Sequence, residues 1–230
     1  QELLKNMKIF YNYENEKMDL GKKRNLMHQT CTFKGDEDII VYMDDDDYYF
    51  PDRISHSVEK LRNSELCASQ QLPIYFLDDK SMWISDPGTK FACAGSFSYR
   101  KSILEKTWYS ENASNGEEIS FTNFFEIEYT KLDPFSTMIC IAHNGNTFSK
   151  KLLRDKVANE KWSGKTKKLI TGDKNFYKVD AKIDALMDND WRSWYEHCLN
   201  NVNERQSSEV NVPKLFCEEE NDLIAKFAEK

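Results

Sequence analysis

Glycine and proline are scarce, at 8 and 5 of 230 residues. That rules out collagen-like and low-complexity chains and argues against disorder. Positive charge is in deficit: 32 Lys and Arg stand against 39 Asp and Glu, a net charge of −7. A chain with that balance is a poor general nucleic-acid binder, because phosphate backbones demand a basic face; a local basic patch can still hold a small phosphate ligand. Long apolar runs are missing. The longest, 39–43 and 138–142, have strand length, well short of the roughly 20 residues of a spanning helix, and no secretory signal is visible. The six cysteines (Cys31, Cys67, Cys93, Cys140, Cys198 and Cys217) include no C-x-x-C pair, which disfavours a zinc cluster. Several sit in apolar runs, where cysteine acts as a small buried hydrophobe. Free thiols suit a reducing compartment, so a cytoplasmic location is expected. The chain begins with Gln1 rather than Met, so it is expected to be a processed form or a fragment of something longer.

The rest is ordinary for a globular protein: 40% hydrophobic, 31% charged and 13% aromatic residues. This length makes one large domain, or one domain with an appendage, and buries a core without staples. Strand signals at 7–13, 39–43, 72–77, 82–84, 91–99, 130–132 and 137–142 alternate with helix signals at 21–32, 53–62, 101–106 and 117–125. That alternation predicts an α/β fold with a largely parallel sheet over 1–150. Residues 151–168 are basic and polar. Beyond them, 176–205 and 215–228 have helical periodicity, so 151–230 reads as a basic connection followed by a helical C-terminal extension.

The strongest chemical signal is Asp44-Asp45-Asp46-Asp47, directly after the apolar run Ile39–Met43. Four consecutive acids repel one another and gain nothing from packing. They fall at the carboxyl edge of a sheet strand, where α/β proteins place ligands. Carboxylate oxygens suit the hard cations Mg²⁺ and Mn²⁺. A solvated acidic turn is the plain alternative, opposed by the apolar strand before it and by Tyr48-Tyr49-Phe50-Pro51 after it. Lys22, Lys23 and Arg24 also fit an ordinary basic helix start. Glu117 and Glu118 fit simple dipole-complementing acids in a first turn. His143 fits a structural histidine after a strand.

Gly21-Lys22-Lys23-Arg24-Asn25, Ile39–Asp47 leading to Pro51, Ala94-Gly95-Ser96-Phe97 and Glu117-Glu118, in that order, resemble a GT-A-fold glycosyltransferase of the family-2 type, in the branch found in large DNA viruses and microbes. The resemblance covers about residues 7–150. It implies a Rossmann-like, mixed but mostly parallel sheet flanked by helices. It also implies transfer of a sugar from a UDP- or GDP-sugar donor to a glycan or other hydroxyl acceptor, with inversion. Asp44 and Asp46 match the D-x-D motif, so Asp44, Asp46 and His143 are the expected ligands of Mn²⁺ or Mg²⁺. Lys22, Lys23, Arg24, Asn25, Asp44, Asp45, Gly95 and Ser96 are expected against the nucleotide-sugar. Glu118 is the expected catalytic base, with Glu117 beside it; a Glu-Glu pair departs from the family's Glu-Asp. The family's first strand, helix and second strand, which build the base pocket, have no counterpart here. Two other readings stay open: a donor-binding domain of this fold without turnover, and a sugar nucleotidyltransferase, although the latter's glycine-rich phosphate loop is missing.

Overall fold

The computed structural model describes residues 10–85, 92–143, 146, 149–151, 154 and 176–179. The chain divides into two compact units, Glu16–Met187 and the pairing of Gln1–Asn15 with Asp188–Lys230. Of the second unit only 10–15 are described, and they form neither helix nor strand. The strand expected over 7–13 is therefore not formed at 10–13, and 7–9 lie outside the described residues. Phe10, Tyr11 and Tyr13 are all exposed, so the stretch has no buried face to hold it in a sheet.

The larger unit is mixed α/β. Among the described residues its helices include α1 (Leu20–Thr30), α2 (Arg53–Lys60) and α3 (Glu117–Phe121), and Lys150, Lys151 and Arg154 are also helical. Its strands are β1 (Ile39–Val41), β2 (Tyr48–Tyr49), β3 (Leu66–Ala68), β4 (Pro73–Phe76), β5 (Ser81–Ser85), β6 (Ser98–Arg100), β7 (Thr130–Lys131), β8 (Met138–Ala142) and β9 (Phe176–Val179). One sheet has the order β1-β6-β3-β7 and the other β2-β8-β4-β5-β9. Two pairings, β3 with β7 and β4 with β8, are parallel. The others are antiparallel. The mostly parallel sheet expected from the sequence is thus corrected to two mixed sheets. The cause is local: β4 turns back at Asp78-Asp79-Lys80 into a hairpin with β5, with Lys80 at φ 53. β6 runs antiparallel to both β1 and β3.

Several boundaries also shift. β1 is half-buried at one side of its sheet rather than covered on both faces. The strand expected over 91–99 is broken by a 3₁₀ turn at Ala94–Ser96 before β6 begins. α3 stops early because Asn123, Phe124 and Phe125 take positive φ values, which no α-helix continues. Residues 176–179, expected to be helical, extend the second sheet through β5; the helices expected over 180–205 and 215–228 lie outside the described residues.

The core follows the sheets. Tyr42, Leu66, Ala68, Phe97, Tyr99, Ile103 and Phe121 form one apolar cluster, Ile74, Phe76, Met138, Cys140 and Ala142 a second, and Leu61, Cys67 and Leu132 a smaller third. The chain crosses between sheets at 42–47, from β1 to β2, and again at 69–72, from β3 to β4. The acid run therefore occupies a crossover, where no ladder consumes its polar groups. Arg53, 1% exposed, secures the base of that crossover. Its Nη2 donates to the carbonyls of Tyr42, Ser96 and Phe97 at 3.3, 2.9 and 3.1 Å.

Candidate functional site

A cleft of about 460 Å³ opens beside the crossover. Its lining draws on α1 (Lys23, Arg24), the acid run Asp44–Asp47, the turn at Gly95, the start of α3 (Glu117, Glu118) and Lys150. Residues from distant parts of the chain thus meet where the sequence placed its candidates.

The Gly21–Asn25 segment folds in an instructive way. Gly21, Arg24, Asn25 and His28 form the buried stripe of α1, one polar residue after another at helical spacing. Gly21 lets α1 touch the 110–113 loop: a Cβ there would lie 1.9 Å from the Ser110 carbonyl oxygen. Asn25 grips the backbone of Tyr109, donating to its carbonyl at 2.9 Å and accepting from its amide at 3.2 Å. Arg24 donates through Nε to Glu117 Oε1 at 3.0 Å and lies 3.3 Å from Asp44 Oδ1. Its guanidinium also sits 4.6 Å above the Tyr42 ring. Burial opposes its charge, but Asp44, Tyr109 and Glu117 outweigh that and hold the pKa above its ordinary value. The segment expected against a nucleotide fastens α1 to the stretch carrying Tyr109 and Glu117. Lys23 is exposed on the cleft, whereas Lys22 and Asn25 do not line it.

His28 sits under this layer. Its Nε2 lies 2.6 Å from the Tyr99 hydroxyl and 2.7 Å from that of Tyr42. Burial, and then the Arg24 charge, lower its pKa to about 4, so the ring is neutral.

The acids divide their work. Asp44 faces Arg24, and its amide donates to the Tyr49 hydroxyl at 2.8 Å, which in turn donates to the Gly95 carbonyl at 3.1 Å. Gly95 permits a close approach: a Cβ there would stand 2.6 Å from Asp44 Oδ2, which would have to move. Ser96 is not on the cleft: its hydroxyl donates to the Cys93 carbonyl and accepts from the Ser69 amide, closing the turn. Asp45 is exposed at the cleft. Asp46 Oδ2 lies 3.3 Å from His143 Nε2 and accepts from Asn146 Nδ2 at 3.2 Å. The His143 contact is the chief reason its pKa falls below the usual carboxylate value. Asp47 accepts from the Ile141 amide at 2.8 Å. Burial first, and then the Asp46 charge, push its carboxyl up to about 7.

Asp44, Asp46 and His143 do not converge. Among the described residues no group of three or more His, Cys, Asp or Glu side chains is arranged to hold a metal ion. Asp46 and His143 are adjacent, while Asp44 is turned to Arg24. The two glutamates are likewise separated by role: Glu117 is 4% exposed and bound to Arg24, whereas Glu118 is half-buried on the cleft.

Lys150, Asn146, Tyr49 and Arg53 were not among the sequence candidates. Lys150 lines the cleft; burial opposes its charge, but Cys140, Asp47 and Asp46 keep its pKa above the ordinary value. Tyr49 and Arg53 follow the acid run within nine positions, and that proximity was the available signal for both. No helix among the described residues is long and apolar enough to cross a membrane. Set against family models, curated proteins and solved structures, the chain matches none of them.

Proposed function

We propose that the chain is a metal-dependent glycosyltransferase of GT-A type. It moves a sugar from a UDP- or GDP-sugar to a hydroxyl of a glycan or other sugar acceptor, with inversion. The observation that carries this reading is the meeting, in one cleft, of Lys23, Arg24, Asp44–Asp47, Gly95 and Glu118 from four separate stretches of chain.

Asp46 and His143 would hold Mn²⁺ or Mg²⁺. Their facing atoms are 3.3 Å apart, near the roughly 3 Å that separates neighbouring donors each about 2.1 Å from one ion. Few protein ligands suit a cation that substrate phosphates and water also coordinate. When bound, the ion neutralises charge on the leaving diphosphate. Lys23 adds a mobile positive charge at the same cleft. Glu118 takes the proton from the acceptor hydroxyl as its oxygen attacks the anomeric carbon and the bond to the diphosphate breaks. Glu117 is unsuited to that task because Arg24 holds it. A single base with one direct displacement inverts the anomeric centre.

The test is transfer and donor hydrolysis with Mn²⁺. Asp46→Ala is expected to lose metal-dependent donor binding. Glu118→Gln is expected to keep binding and lose transfer by about 10²- to 10⁴-fold; full transfer by that variant overturns the base assignment. A second reading, a donor-binding domain without turnover, is favoured by the pairing of Asp44 with Arg24. Donor binding by the parent protein with neither transfer nor hydrolysis would select it.

A further inference from the structure

We propose that Lys150 is a binding residue for the phosphates of the cleft's ligand, held ready by an acidic anchor at Asp78. This rests on the nucleotide-sugar reading and adds a residue and a positioning device to it.

Of the residues lining the cleft, three are cationic: Lys23, Arg24 and Lys150. Arg24 is committed to Asp44 and Glu117, and Lys23 projects from an exposed position on α1. Lys150 differs from both, being half-buried where the second sheet ends. β4 and β8 run parallel, with Phe76 beside Ala142, and the Leu77 amide donates to the Ala142 carbonyl at 3.3 Å. His143 leaves one strand there and Asp78 follows the other. Arg154 forks onto Asp78, with Nη1 to Oδ1 at 2.6 Å and Nη2 to Oδ2 at 2.9 Å. It also reaches Asp79 at 3.0 Å and lies 4.5 Å above the Phe76 ring. Lys151 adds a contact to Asp78 at 3.1 Å. A bidentate arginine–carboxylate pair with a buried guanidinium fixes orientation as well as position. Lys151 is thereby held, and Lys150, next to it, is delivered to the cleft. A lysine ammonium is a compact charge with three donors, suited to phosphate oxygens whose arrangement varies during reaction.

The test is titration calorimetry of UDP, GDP and inorganic pyrophosphate with Mn²⁺ present. Lys150→Met is expected to weaken binding at least tenfold, Lys150→Arg to restore most of it, and Asp78→Asn to give an intermediate loss. A second measurement uses the unaltered protein: with Mn²⁺ present, pyrophosphate should slow acetylation of Lys150 by acetic anhydride while leaving Lys151 unaffected. Binding by Lys150→Met within twofold of the parent, or equal acetylation of Lys150 with and without pyrophosphate, overturns the assignment and leaves the glycosyltransferase reading standing. A parent protein that binds none of the three probes sinks that reading, and this inference with it.

Discussion

Glu117→Gln removes one charge and almost no volume, which makes it a clean probe of what that residue does. Arg24 meets Glu117 at 2.9 Å, with side-chain exposures of 7% and 6%. Two unit charges at about 3 Å attract by about 5–6 kcal/mol at an effective dielectric near 20. Desolvation offsets much of that, and removing one partner of a buried pair costs about 3–5 kcal/mol in practice. Glutamine still offers an oxygen to Arg24, and Asp44 remains beside the guanidinium, so the lower end, about 3 kcal/mol, is expected. At about 2–4 °C per kcal/mol for a chain of this size, the melting temperature should fall by about 6–12 °C. Differential scanning calorimetry of metal-free protein at neutral pH reads it directly. Glu118→Gln, half-buried on the cleft, should shift the melt by less than half as much. Equal shifts, or a larger one for Glu118→Gln, would refute the division of labour between the two glutamates.

Gly21→Ala places a Cβ against the Ser110 carbonyl; the overpacking should cost about 1–3 kcal/mol or more in urea unfolding, and an unchanged midpoint would show that α1 does not need this close approach. His28 has a folded pKa of about 4 against an ordinary 6.5, so the unfolded chain binds more protons between those values and stability is lost as pH falls through that window. The advantage of the parent over His28→Phe should shrink by up to about 3 kcal/mol between pH 7 and 4, and a constant difference would rule the effect out. Chelating divalent ions with EDTA should abolish binding of nucleoside diphosphates, measured by calorimetry; tight binding in EDTA would contradict the metal requirement.

That the acid quartet borders a cleft was legible, because four acids after an apolar run have few structural uses. The roles inside it were less so. The buried stripe of α1, Gly21–Arg24–Asn25–His28, is invisible to any scale that equates burial with hydrophobicity; only the partners Tyr109, Glu117 and Tyr99, roughly 70 to 90 positions away, make those residues interior. β3 escaped notice because Leu66-Cys67-Ala68 is three residues long, although it is fully buried. Strand direction was misread for a different reason: alternating helix and strand signals favour parallel pairing on average, but β6 follows a tight turn at Ala94–Ser96 and enters between β1 and β3 against both. Phe176-Tyr177-Lys178-Val179 holds three strand formers, but the run is short and is absorbed into the helical periodicity that follows it; its pairing with β5 is what marks it as a strand.

The charge balance of the cleft links these points to the proposed chemistry. Six carboxylates line it, those of Asp44–Asp47, Glu117 and Glu118, against three cations, Lys23, Arg24 and Lys150. Asp47 is affected as well: burial first, and then the neighbouring Asp46 charge, push its carboxyl up to about 7. Arg24 relieves Asp44 and Glu117, which leaves Asp45, Asp46, Asp47 and Glu118 facing Lys23 and Lys150. A diphosphate entering that space unaccompanied would add like charge to a surplus of acid and be repelled. A divalent cation held at Asp46 would offset that surplus, so that the ligand and the ion would each supply what the other lacks. An acid-rich cleft is therefore a reason to expect that phosphate ligands and metal bind together.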